Sequence, residues 1–193
     1  MIIFHFSGTP GTGKSFLCEL INNLIQNRAN IKTFDTDYWL DEWHDKIAPK
    51  AKSGSEARDI YEKFINAKIT KLEKSKEKWI LCGVLNYEFR VRGRLLRMPE
   101  LSWPNHTKKI FLKVDIDTLY IQTTMRGIDY LCTRRDELKK EILEGKEISF
   151  GLGDKEYIKN YYQFDLDYHL KRGYILKTQQ QALKMAHNYL LKN

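Results

Sequence analysis

Gly8-Thr9-Pro10-Gly11-Thr12-Gly13-Lys14-Ser15 is the stretch that decides how this 193-residue chain is read. It fits the pattern G-x-x-x-x-G-K-[ST] at every fixed position. An apolar run, Ile2-Ile3-Phe4-His5-Phe6, precedes it. Phe16, Leu17, Leu20, Ile21, Leu24 and Ile25 follow at helical spacing. Strand, glycine-rich turn and helix are thus predicted in the order in which this pattern carries chemistry. The glycines allow backbone N–H groups to turn inward and surround an anion, and the helix adds the positive end of its dipole. Lys14 is suited to the β- and γ-phosphates of ATP, and Ser15 can offer its hydroxyl to Mg²⁺. All eight residues, Gly8, Thr9, Pro10, Gly11, Thr12, Gly13, Lys14 and Ser15, are expected to bind the nucleotide. A turn that merely opens a helix would explain the glycines but not Lys14 with Ser15.

Outward from this loop, short apolar runs alternate with helical patterns, the mark of βα units and a parallel sheet. Strands are predicted at 2–6, 31–34, 79–82, 110–114 and 174–176. Ile60, Tyr61, Phe64, Ile65, Ile69 and Leu72 predict an amphipathic helix. A further helix is expected to begin over 119–125, and Leu183, Ala186, Tyr189 and Leu190 give a closing helix its apolar face. No repeat or linker divides residues 1–193, so one domain is expected. Residues 46–56, with Pro49 and Gly54, read as a loop. The arginine-rich segment 86–105 is a candidate acceptor-binding loop, and the charged segment 128–153 a candidate mobile lid.

Composition bounds the classes. Hydrophobic residues make up 42% and charged residues 30%, which excludes a disordered chain. No apolar run approaches the roughly 20 residues of a membrane span. The first residues are too short for a signal peptide and lack its basic segment, so a cytoplasmic location is expected. Cys18, Cys82 and Cys132 are read as thiols, Cys82 in a strand core. The five histidines have no ligand spacing. A net charge of +8 favours polyanionic partners, nucleotides first and nucleic acid second.

Phe34-Asp35-Thr36-Asp37 falls just past the second predicted strand, where ligands bind in open parallel sheets. In extended backbone the two carboxylates would share a face. One could hold a magnesium-bound water while the other takes the proton of an acceptor hydroxyl. The competing reading is an N-cap or turn aspartate before a helix beginning near Tyr38. Asp41, Glu42 and Asp45 read as a solvated helix face.

With these residues in view, the chain resembles the nucleoside/nucleotide kinase superfamily of P-loop proteins, the small adenylate-kinase and shikimate-kinase-like group. The sequence GTPGTGKS is similar to that group's Walker A loop. Asp35-Thr36-Asp37 is similar to its D-[ST]-D element, which implies that Asp35 assists magnesium and Asp37 contacts the acceptor hydroxyl. Residues 110–117, with the helix running into Met125-Arg126-Gly127, resemble the fourth strand and lid-entry helix. The resemblance gives Arg126 a role over the nucleotide and places a lid arginine at Arg134 or Arg135. It further implies a three-layer α/β/α sandwich with a five-stranded parallel sheet and the phosphate-loop strand central. The third strand ends Leu81-Cys82-Gly83-Val84, without the carboxylate that nucleotide-accepting members often carry. Gly83 is therefore a candidate for backbone approach to the acceptor.

Arg90, Arg92, Arg94 and Arg97 lie near Tyr87 and Phe89 in a predicted loop or short helix, where guanidinium forks suit phosphates and aromatic rings suit bases. Arg90 and Arg92 are carried as acceptor-binding candidates, against the alternative of an exposed basic face. Tyr157, Tyr161, Tyr162 and Tyr168 read as helix packing. The expected activity is transfer of the γ-phosphate of ATP·Mg²⁺ to a small acceptor, a nucleoside or nucleoside monophosphate first. In this scheme Lys14, Asp35, Asp37 and Arg126 are catalytic, and Ser15 and Asp35 hold the metal. The alternatives are a polynucleotide 5′-hydroxyl kinase and an ATPase or switch without an acceptor.

Overall fold

The structure is a computed structural model and describes residues 1–26, 28–83, 85, 89–91, 94–96, 101–133 and 155–192. Five strands, β1 (Ile2–Ser7), β2 (Ile31–Asp35), β3 (Lys78–Cys82), β6 (Lys108–Lys113) and β7 (Ile175–Thr178), form one sheet in the order β2-β3-β1-β6-β7. Every pairing in it is parallel. All six residues of β1 are buried, as expected of a central parallel strand covered on both faces. β2, at an edge, is buried only at Ile31. Strand order was not predictable from periodicity, and it places β1 between β3 and β6.

The apolar residues explain the layers. Phe4, Phe6, Ile80, Cys82, Ile110 and Leu112 lie against α1 (Lys14–Ile25) and α6 (Gln179–Lys192). Helix α1 buries Leu17, Cys18, Ile21 and Ile25; of the apolar residues expected at helical spacing, Leu17, Ile21 and Ile25 face the core, whereas Phe16 and Leu24 are exposed. On α6, Ala182 and Ala186 are small enough to bring that helix close to the sheet. The opposite face has two groups. Ile2, Leu81 and Leu85 meet α2 (Asp37–Glu42) and α3 (Gly54–Glu73) through Trp39, Tyr61, Ile65 and Ile69. Phe111 meets α4 (Ile116–Thr133) and α5 (Lys155–Leu170) through Leu119, Ile158 and Tyr162. Helices on both faces of a parallel sheet make the α/β/α sandwich.

Residues 46–56 are more ordered than the expected loop. A π-helical turn spans Trp43–Ile47 and a 3₁₀ turn Ala48–Lys50. Pro49 sits early in its turn, where no helical N–H is needed. Ser53 caps α3, its Oγ accepting from Glu56 N at 3.2 Å, while Glu56 Oε2 accepts from Lys52 N at 2.7 Å. This is close to a capping box. Within 86–105, two short antiparallel strands replace the expected loop or short helix: β4 (Phe89–Val91) and β5 (Arg94–Leu96), with Arg90 opposite Leu95. No helix among the described residues is long and apolar enough to cross a membrane.

Candidate functional site

The carboxyl ends of β1, β2 and β3 are level, because Cys82 is in register with both Phe6 and Asp35. From β1 the chain passes through α1 to β2, on the far side of β3, whereas β6 lies on the other flank of β1. The 8–15 loop leaves β1 at this reversal, the place where an open parallel sheet offers a crevice.

Gly11 and Gly13 hold φ of 93° and 79°, values that suit glycine, between Ser7 and the first residue of α1. Gly13 is the N-cap of α1 and supplies no capping side chain, and no acidic residue occupies the first turn. The amide end of the helix is therefore left to a partner from outside the helix. The Thr9 carbonyl organises the loop. It accepts from Thr12 N at 3.1 Å, from Thr12 Oγ1 at 2.9 Å and from Lys14 Nζ at 3.2 Å. The ammonium group of Lys14 is thereby folded into the loop, with only 6% of the residue exposed. Ser15, next along the helix, is exposed. Gln179, the first residue of α6, donates from Nε2 to Gly13 O at 3.0 Å and fixes the loop's exit.

The acidic pair sits beside this loop, in a geometry other than the extended one expected. Thr36 is helical, with φ −74° and ψ −10°, so Asp35 ends β2 and Asp37 opens α2. The two still meet, because Asp37 N donates to Asp35 Oδ1 at 3.0 Å. Asp35 thus closes a side-chain turn of the kind aspartate favours, and this turn replaces the shared strand face. Thr36, fully buried, donates from N to Cys82 O at 2.7 Å and locks the turn onto β3. Gly83 follows at φ 135°. A Cβ there would land on Thr36 Oγ1 and lie 2.9 Å from Asp37 Oδ1 and 3.1 Å from Asp35 Oδ1. The missing side chain at Gly83 is what lets Asp35-Thr36-Asp37 close against the end of β3. Gly83→Ala is expected to cost about 1–3 kcal/mol in strained backbone and to displace both carboxylates. Urea denaturation checks the first effect, and an unchanged midpoint would mean that the turn yields freely.

The electrostatics tie these pieces together. Burial pushes the Cys82 thiol well up, with its hydrogen bond to Cys18 and the charge of Asp35 adding, while Lys14 opposes. Cys18 is shifted down, chiefly by its hydrogen bond with Cys82. Both are free thiols, and Cys132's side chain lies outside the described residues. Lys14 and Asp35 therefore act on one buried side chain from the loop side and the acidic side. On β1, His5 is lowered to about 3, first by burial and then by the charge of His169, so its ring is neutral at neutral pH. His5 Nδ1 meets the Tyr174 hydroxyl at 2.7 Å, and its ring stacks on Trp103 at 4.4 Å.

Of the residues selected from sequence, Lys14, Asp35, Asp37 and Gly83 come together with the 8–15 loop. Helix α4 passes the loop at Leu119 and Thr123, the side chains a Cβ on Gly11 would meet. Arg126, three residues further on, is thus near by position, although its side chain lies outside the described residues. Arg90 is on β4, and its side chain is outside them as well. Arg92, Arg134 and Arg135 lie outside the described residues, as does most of the candidate lid. Sequence reading passed over Thr9's partner Asp165, and over His169 and Gln179. The i,i+4 spacing of Asp165 and His169 was a usable signal.

Neither a protein-family model nor a curated protein sequence matches the chain. Among solved structures, one described as the crystal structure of APE1195 aligns with a TM-score of 0.39 and 15% identity, over 84% of this chain and 93% of that one.

Proposed function

We propose that this chain is a P-loop phosphotransferase of the nucleoside/nucleotide kinase kind, moving the γ-phosphate of ATP to a small hydroxylated acceptor. One observation carries the reading: Lys14 is held inside a glycine loop at an uncapped helix start, with an acidic turn at the level end of β2, one strand away across β3. The uncapped amides and the Lys14 ammonium fit a chain of phosphates. The exposed Ser15 hydroxyl and the Asp35 carboxylate are hard oxygen donors of the kind magnesium takes, Asp35 acting through water. Magnesium, when bound, would supply neutralisation of phosphate charge. Asp37 would orient the acceptor hydroxyl and take its proton. Gly83 serves this scheme by closing the acidic turn, since the space its Cβ would take is already filled, and its backbone is the candidate for approach to the acceptor. Arg126, on the helix that passes the loop, would lie over the nucleotide. A nucleoside or nucleoside monophosphate is the favoured acceptor, in keeping with the net charge of +8.

The test is ATP consumption with direct detection of the phosphorylated product. The acceptors are nucleosides, nucleoside monophosphates, 5′-hydroxyl oligonucleotides and shikimate-like alcohols. Acceptor-dependent product from the first two is expected. Product from oligonucleotides alone, weakening steeply with salt, would move the reading to a polynucleotide kinase. Phosphate release independent of every acceptor would replace it with an ATPase.

A further inference from the structure

The geometry points to Asp165, on α5, as a positioning residue that sets the 8–15 loop through Thr9. This rests on the reading of that loop as a phosphate binder. Thr9 Oγ1 donates to Asp165 Oδ2 at 2.9 Å, and both residues are buried. His169, one turn along α5, holds the other side of the carboxylate. Its Nδ1 lies 3.1 Å from Asp165 Oδ1 and 2.8 Å from the Asp165 backbone carbonyl. Two acceptors at Nδ1 place the proton there, which leaves Nε2 to accept from Ser7 Oγ at 2.8 Å. Helix α5 therefore grips the chain twice where it leaves β1, at the last strand residue and at the second loop residue.

Thr9 passes this grip onward. Its side chain is fixed by Asp165, while its carbonyl carries Thr12 and Lys14. Rotating Thr9 would turn the carbonyl on which the Lys14 ammonium rests. A buried carboxylate is costly unless fully paired, and an apolar pair would fill the same space more cheaply. The directional bond from Thr9 to Asp165 is what an apolar pair could not supply.

The experiment compares wild type, Thr9→Val and Thr9→Ser by calorimetric titration with magnesium tripolyphosphate. Amide hydrogen exchange over residues 8–15 and thermal unfolding are measured on the same proteins without ligand. Valine keeps the shape and loses the hydroxyl. Loss of one hydrogen bond to a charged group predicts about tenfold weaker binding in Thr9→Val, faster loop exchange and a lower unfolding temperature, since the Asp165 carboxylate stays buried without that donor. Serine is expected to restore both binding and exchange. Unchanged exchange and binding in Thr9→Val would overturn the proposal, as would a serine variant as weak as valine, since packing of the methyl group would then be the cause. If wild type binds no tripolyphosphate, the phosphate reading fails, and exchange in the ligand-free variants still decides whether Asp165 orders the loop. Should Thr9→Val not fold, Asp165→Asn takes its place, with faster loop exchange expected and unchanged exchange overturning the proposal.

Discussion

Asp37→Asn is expected to lower phosphoryl transfer by about 10²–10⁴-fold, the usual contribution of a positioned general base, while nucleotide binding stays within about threefold. Asn matches Asp in size and keeps the backbone N–H that donates to Asp35 Oδ1, so the acidic turn should persist. What is lost is the carboxylate that would take the acceptor proton. The competing role is local. Asp37 is the acidic residue in the first turn of α2, where a charge contributes about 0.3–1 kcal/mol to a helix. That role affects stability slightly and leaves chemistry alone. Steady-state transfer and equilibrium nucleotide titration on one preparation separate the two, and wild-type transfer would reduce Asp37 to a helix-start residue.

Lys14→Ala is expected to reduce ATP-dependent turnover by about 10²–10³-fold, the loss that follows removal of one preorganised donor from a charged transition state. The fold should survive. Helix α1 is anchored by Leu17, Cys18, Ile21 and Ile25, and Lys14 adds one bond to the Thr9 carbonyl. Lys14→Arg should also fail, because a planar guanidinium cannot take the place of a compact ammonium folded into the loop. ATP titration with thermal unfolding as the control checks both variants. Turnover equal to wild type in Lys14→Ala would remove the loop from the mechanism.

The loop and its strand were legible because their signals are local. Residues 2–6 are apolar except for His5, and Gly11 and Gly13 occur where positive φ is required. The acidic pair was legible as residues but not as geometry. Of the two readings, an extended Asp35-Thr36-Asp37 and a turn aspartate before a helix, the start of α2 at Asp37 favours the second, with Asp35 closing a side-chain turn. Residues 46–56 were misread because Pro49 and Gly54 look like breakers, whereas each stands near the beginning of a helical element and tolerates it. The antiparallel pair β4 and β5 was hidden by its charge, since each strand is only three residues long.

The amino-acid order by itself determined the glycine loop, the helix behind it and the alternation that makes a parallel sheet, because each depends on residues within a few positions of one another. The resemblance already implied a central β1, which the sheet order bears out; only the tertiary structure decided that Gly83 closes the acidic turn and that Asp165 and His169 grip the chain through Thr9 and Ser7. Those contacts join residues up to 162 positions apart. They exist only after the sheet order has set β6, on which α5 packs, beside β1, and no local pattern encodes that order.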